Sequence, residues 1–144
     1  MVRTMDASGA LGPESVIDAR GCDCCPTDGV ATGDRTLVAY RDRTEDEIRD
    51  IAVVAYRDGV WGDPVIPVAD GWEINGCPVN GPSIVANASG ALLTWLTSAD
   101  DSSRVQAVRL APDGSAAAAP VLIAGTDDVI GRVDSLLRED GSAL

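Results

Sequence analysis

Tyr40-Arg41-Asp42-Arg43 sets two guanidiniums around one carboxylate in a single short run. A guanidinium fork binds a carboxylate or a phosphate through paired hydrogen bonds. Arg41 or Arg43 is thus suited to grip an acidic sugar or another small anion. Asp42 would orient the fork or donate a proton. The alternative is an Arg–Asp lattice, with Arg49 and Asp50, that braces a long loop. Glycoside hydrolysis needs two carboxyl groups flanking the bond, or a tyrosine in place of the nucleophile. Asp23, Asp42, Glu73 and Asp134 are the candidates, and Asp42 and Asp23 take the catalytic assignment. Trp72 is a candidate for stacking on a sugar ring. Asn75 and Asn80 suit hydrogen bonds to sugar hydroxyls, or the capping of turns.

Cys22, Cys24, Cys25 and Cys77 leave three readings open. One or two disulfides would staple neighbouring units and mark an oxidising compartment. Four thiolates would bind zinc or a softer metal. The third reading is free buried thiols. Adjacent cysteines in C-x-C-C chelate one ion poorly, so no metal site is assigned. A bridge from Cys24 or Cys22 to Cys77 is the preferred pairing.

Composition removes other classes. The net charge is −12, with 23 acids against 11 bases, all of them Arg. An acidic chain without a basic stripe argues against nucleic acid as a partner. The absence of His removes His-based acid–base chemistry and His metal ligands from this stretch. No cofactor is expected. No apolar run has the roughly 18 residues that a membrane span needs. The first residues lack a basic–apolar–small leader pattern. If the chain begins inside a repeat, a leader would lie outside it.

The elements that must position these residues repeat. Leu37–Tyr40 matches Leu92–Trp95, 55 positions on. The same offset pairs Asp46 with Asp101, Arg49 with Arg104, Ala52-Val53 with Ala107-Val108, and Asp58-Gly59 with Asp113-Gly114. Cys-Pro steps at Cys25 and Cys77 open the two copies. A repeat of this length built of short strands is the mark of a β-propeller blade. The expected strands are 29–32, 36–40, 50–56 and 65–68, then 83–86, 91–96, 104–110 and 121–124. Asp58-Gly59 and Pro112-Asp113-Gly114 favour tight turns. Residues 132–138 are expected as a first strand, and 115–119 as a loop. Tyr40 and Trp95, at equivalent positions, are expected to pack between blades.

The fold expected is all-β: about two and a half four-stranded blades of a partial β-propeller. Residues 1–20 end a preceding blade, 21–70 and 71–125 form complete blades, and 126–144 start a further one. The missing blades of the full-length chain are then the first partners. Open sheet edges predict poor solubility for this stretch alone.

Residues 22–54 (CDCCPTDGVATGDRTLVAYRDRTEDEIRDIAVV) and 71–82 (GWEINGCPVNGP) resemble bacterial sialidase-like propellers of the BNR, or Asp-box, repeat. The turns at Asp58-Gly59-Val60-Trp61 and Asp113-Gly114-Ser115 look like eroded Asp boxes. The resemblance implies six blades, export to the periplasm or the extracellular space, and a glycoside hydrolase acting on anionic sugars. Sialidases hold the substrate carboxylate with an arginine triad; the Arg-Ile-Pro motif of its first arginine does not occur here. The resemblance places the ligand face on connectors 20–25, 72–80, 41–50 and 127–134. Arg41, Arg43, Trp72, Asn75 and Asn80 would bind there. Two other classes remain: a non-catalytic propeller binding carbohydrate or protein, and a periplasmic propeller using the cysteines for metal or redox chemistry.

Overall fold

Alternation sets the two faces of every strand. The computed structural model describes residues 1–125, 129 and 131–144. The first sheet contains β1 (Asp28–Thr32), β2 (Arg35–Arg41), β3 (Ile51–Arg57) and β4 (Val60–Trp61). The second contains β5 (Ser83–Asn87), β6 (Gly90–Thr97), β7 (Arg104–Leu110) and β8 (Val121–Ala124). Both are antiparallel with strands in chain order, and neither closes into a barrel. Among the described residues one 3-10 turn, Ala99–Asp101, interrupts this all-β pattern, and no helix is long and apolar enough to cross a membrane.

Seven of the eight expected strands lie within about two residues of their expected ends. The fourth strand of the first copy is the exception, since it falls at Val60–Trp61 rather than 65–68. Asp58-Gly59 is a two-residue turn with φ of 51° and 85°, the geometry that folds a hairpin back at once. Trp61 therefore pairs with Tyr56, and the two rings lie 4.8 Å apart. Asp63-Pro64 bulges out, Pro64 having no N–H to donate, and Val65 rejoins β3 opposite Val53. Residues 132–138 form no strand; a lone bridge joins Leu137 to Ala143.

The gapless repeat also needs one correction. Ala39 pairs with Val53 in the first sheet, and Thr94 with Ala107 in the second. The offset of 55 therefore holds through the second strand and becomes 54 in the third. Ala107-Val108 is the counterpart of Val53-Val54, and Arg104 that of Asp50. A one-residue slip exchanges the two faces of a strand, so the distinction decides which side chains face the core.

With that register the packing has a direction. Leu37, Ala39, Ile51 and Val53 of the first sheet pack on Ala91, Leu93, Trp95, Val108 and Leu110 of the second. The counterparts of Leu37, Ile51 and Val53 are Leu92, Val105 and Ala107, which lie on the far face of the second sheet. The counterparts of Trp95 and Val108 are Tyr40 and Val54, on the far face of the first, where Ile17 covers them. Unlike faces meet, so the sheets stack head to tail. A heterologous contact of this kind leaves an unlike face free on each sheet, and repeated it builds a ring or an open stack.

Candidate functional site

Three connectors converge at one end of the two sheets. They are the segment before β1, the loop between β2 and β3, and the segment before β5. Gly21 bridges to Asp42, and Cys22 N–H donates to the Arg41 carbonyl at 2.9 Å. Arg49 N–H donates to Trp72 at 2.8 Å, and Ile74 N–H to Glu47 at 3.1 Å. The loop between β2 and β3 is thereby laced across to the next sheet. Two disulfides, Cys22–Cys25 and Cys24–Cys77, complete the frame, with Cα separations of 5.4 and 6.5 Å. The expected bridge to Cys77 is present through Cys24, and no described cysteine is free.

Between these connectors lies a cavity of about 470 Å³, lined by Cys22, Asp23, Cys24, Arg43, Glu47, Arg49, Asn75, Gly76 and Cys77. Glu47 is its electrostatic centre. Its carboxylate accepts from Arg43 Nη2 at 2.8 Å and from Arg43 Nε at 3.1 Å. It also pairs with Arg49 and, at 3.3 Å, with Arg20. The Arg43 hydrogen bonds, followed by that of Arg49, hold the Glu47 carboxyl at about 2. Glu47 therefore stays ionised and is no proton donor near neutral pH. Arg49 is 4% exposed, and its buried Nε has no hydrogen-bond partner among the described residues. A buried guanidinium N–H left unpaired is costly unless an acceptor reaches it.

The expected site residues divide into two groups. Asp23, Arg43, Asn75 and three of the four cysteines share this cavity. Arg41 does not, being 1% exposed with every guanidinium nitrogen engaged. Nε donates to the Asn80 carbonyl at 2.6 Å, Nη1 to that of Arg49 at 2.6 Å and Nη2 to that of Leu96 at 2.7 Å. Its cation lies 4.9 Å over the Trp72 ring. Burial lowers the Arg41 pKa to about 10, against the opposing pull of Asp70 and Asp50. Arg41 thus pins the two sheets together and presents no fork to a ligand. Arg41 braces the loop through backbone carbonyls rather than through the expected Arg–Asp lattice, and Asp50 instead accepts from the Gly71 N–H at 2.9 Å and the Trp72 N–H at 3.3 Å.

Trp72 is 7% exposed and packs on Leu96 and Ala99, so the ring face expected to stack on a sugar is occupied by Arg41. Asn80 gives its carbonyl to Arg41 and lines a different cleft, with Pro78 and Ser98. Asp42 is half-buried beside Asp18 and is not part of the cavity lining that includes Asp23. Its burial raises its pKa, the Arg43 N–H opposes that shift, and Asp18 adds to it. The two assigned catalytic carboxylates therefore do not share a cavity. Asp134 lies near Ser83 on the second sheet, at 3.4 Å. Residues 127, 128 and 130 of the expected connector 127–134 lie outside the described residues.

Reasoning from sequence missed Glu47 and assigned Arg49 only to the lattice. The signal was present: Arg43 and Glu47 stand four apart, with Arg49 close behind. Comparison with protein-family models, with curated proteins and with solved structures finds no match.

Proposed function

We propose that this chain is a wedge of a sialidase-like β-propeller whose cavity binds the carboxylate of an anionic sugar. The observation that carries the binding site is Arg49, a buried guanidinium with an unpaired Nε at a cavity it shares with Arg43. Glu47 holds both forks in place, and preorganised guanidiniums bind carboxylates at low entropic cost. Asn75 and Asp23 supply polar groups for hydroxyls at the rim. The head-to-tail stacking supports the propeller. So does the far face of the second sheet, where Val121 and Ile123 are about 60% exposed beside Leu92, Val105 and Ala107. A further sheet of the same kind, from the rest of a full-length chain, would cover it. Two disulfides fit an exported protein.

Binding without hydrolysis is the reading the geometry favours. Glu47 is locked as an anion, and among the described residues Glu47 is the one other carboxylate beside Asp23 in the cavity lining. Titration calorimetry with N-acetylneuraminate, and with galactose as the neutral control, tests the reading. Saturable binding of the acid alone, weakened at least tenfold by Arg43→Gln, is expected. Equal heats for both sugars, or an unaffected variant, would remove the cavity as an anion site. A fluorogenic sialoside should show no turnover.

A further inference from the structure

The two disulfides touch. Cys22–Cys25 closes the Cys-Asp-Cys-Cys loop, and Cys24–Cys77 ties that loop to the segment before β5. The sulfurs of Cys22 and Cys24, which belong to different bonds, are 3.6 Å apart. Those of Cys22, Cys24 and Cys25 all lie within 4.8 Å of one another. Thiolate attack on a disulfide sulfur needs contact and alignment with the bond that breaks; contact is already made here, and release of Cys24 from Cys77 frees its side chain to turn into line. Access is unequal, since Cys24 and Cys77 are exposed while Cys25 is 9% exposed. A reductant arriving from solvent meets the Cys24–Cys77 bond first.

We infer that this cluster is a thiol–disulfide exchange site whose substrate is a dithiol. One thiolate of the dithiol attacks Cys77 Sγ; the Cys24–Cys77 bond breaks and Cys24 leaves as a thiolate. The second thiol of the dithiol gives up its proton, closes the dithiol's own disulfide and expels Cys77, which takes up a proton. The dithiol has lost two electrons and the Cys24–Cys77 pair has gained them. The Cys24 thiolate then attacks Cys22 Sγ. A Cys22–Cys24 bond forms, the Cys22–Cys25 bond breaks, and Cys25 leaves as a thiolate and takes up a proton. That second exchange is redox-neutral. It leaves thiols at Cys25 and Cys77 and releases the staple between the segments before β1 and β5. Cys22, Cys24 and Cys77 line the cavity, so exchange loosens one of its walls. The inference stands independently of what the cavity binds.

The test treats the folded chain with one equivalent of dithiothreitol, quenches with acid, and alkylates with N-ethylmaleimide. Peptides are then mapped by tandem mass spectrometry without further reduction. Alkylation of Cys25 and Cys77 is expected, forming at least tenfold faster than in the urea-unfolded chain. Alkylation of Cys24 and Cys77 with Cys22–Cys25 intact would overturn the inference, as would resistance to the reagent or an equal rate in urea. Cys77→Ser adds a test without reductant. Its free thiol should distribute between Cys24 and Cys25, and a free thiol confined to Cys24 would count against exchange.

Discussion

The indole nitrogen of Trp95 donates to Asp70 Oδ2 at 2.6 Å, in the segment that leaves the first sheet. Tyr40, its counterpart one repeat earlier, donates its hydroxyl to Asp18 Oδ2 at 2.6 Å, in the segment that enters that sheet. The same lock thus joins each sheet to the chain preceding it. Burial first, and Asp18 second, push the Tyr40 hydroxyl well above the usual tyrosine range, so it stays a donor.

Asp70 is the more heavily used of the two aspartates. It also accepts from Gln106 Nε2 at 2.9 Å and lies 3.8 Å from Arg104. Asp70→Ala should strand the indole and amide donors, at about 1–3 kcal/mol for each buried group left unpaired. Urea unfolding should show this as a lower midpoint. Tyr40→Phe, which removes one hydroxyl, should cost about 0.5–1.5 kcal/mol. Equal losses would mean that the two locks do not differ as described.

Arg41→Lys should destabilise rather than weaken ligand binding. A lysine cannot reach three carbonyls that diverge in one plane. Each carbonyl left unpaired costs about 1–3 kcal/mol. Thermal unfolding should show a large fall in Tm. A variant of native stability that had lost anion binding would return Arg41 to the site.

Acid should unfold the loop network through Glu47. Its folded pKa is about 2 against an ordinary value of 4.5. A depressed carboxylate pKa contributes stability that is fully present above 4.5 and is lost as pH falls toward 2. Asp42 and Asp50, raised mainly by burial, act in the opposite sense. Glu47→Gln should flatten the acid limb of the stability profile between pH 4.5 and 2, read from urea midpoints. An unchanged limb would place the acid sensitivity elsewhere.

Gly81 packs against Pro26 where the segments before β1 and β5 meet. A Cβ there would lie within van der Waals overlap of the Pro26 carbonyl, with the Pro26 ring carbon at 2.8 Å. Gly81→Ala should cost about 1–3 kcal/mol as an overpacked contact. Gly33→Ala is the comparison, because no atom lies within 4 Å of its Cβ position and φ of +61° is its only strain. A smaller loss at Gly81 than at Gly33 would contradict the close approach.

The strands were legible because their signals are local. Short apolar runs such as Leu37–Tyr40 and bounding turns such as Pro112-Asp113-Gly114 act within a few residues. The fourth strand was misplaced because the Asp58-Gly59 turn outweighed the apolar run at 65–68. The burial of Arg41 was not legible. An arginine inside Tyr-Arg-Asp-Arg reads as surface, and two of its three carbonyl partners lie 39 and 55 positions away. Trp72 misled for the same reason, since only the folded chain brings Arg41 over its ring. The cysteine cluster was foreseen from the repeat, which puts Cys22–Cys25 and Cys77 in equivalent connectors.

The most direct test is the guanidinium Nε–H resonance of Arg49 in a ¹⁵N-correlated spectrum of the intact chain. Titration with N-acetylneuraminate should move that resonance saturably, together with that of Arg43, and galactose should leave both in place. An Arg49 resonance unmoved at saturating acid, or moved equally by galactose, would contradict a carboxylate-binding cavity.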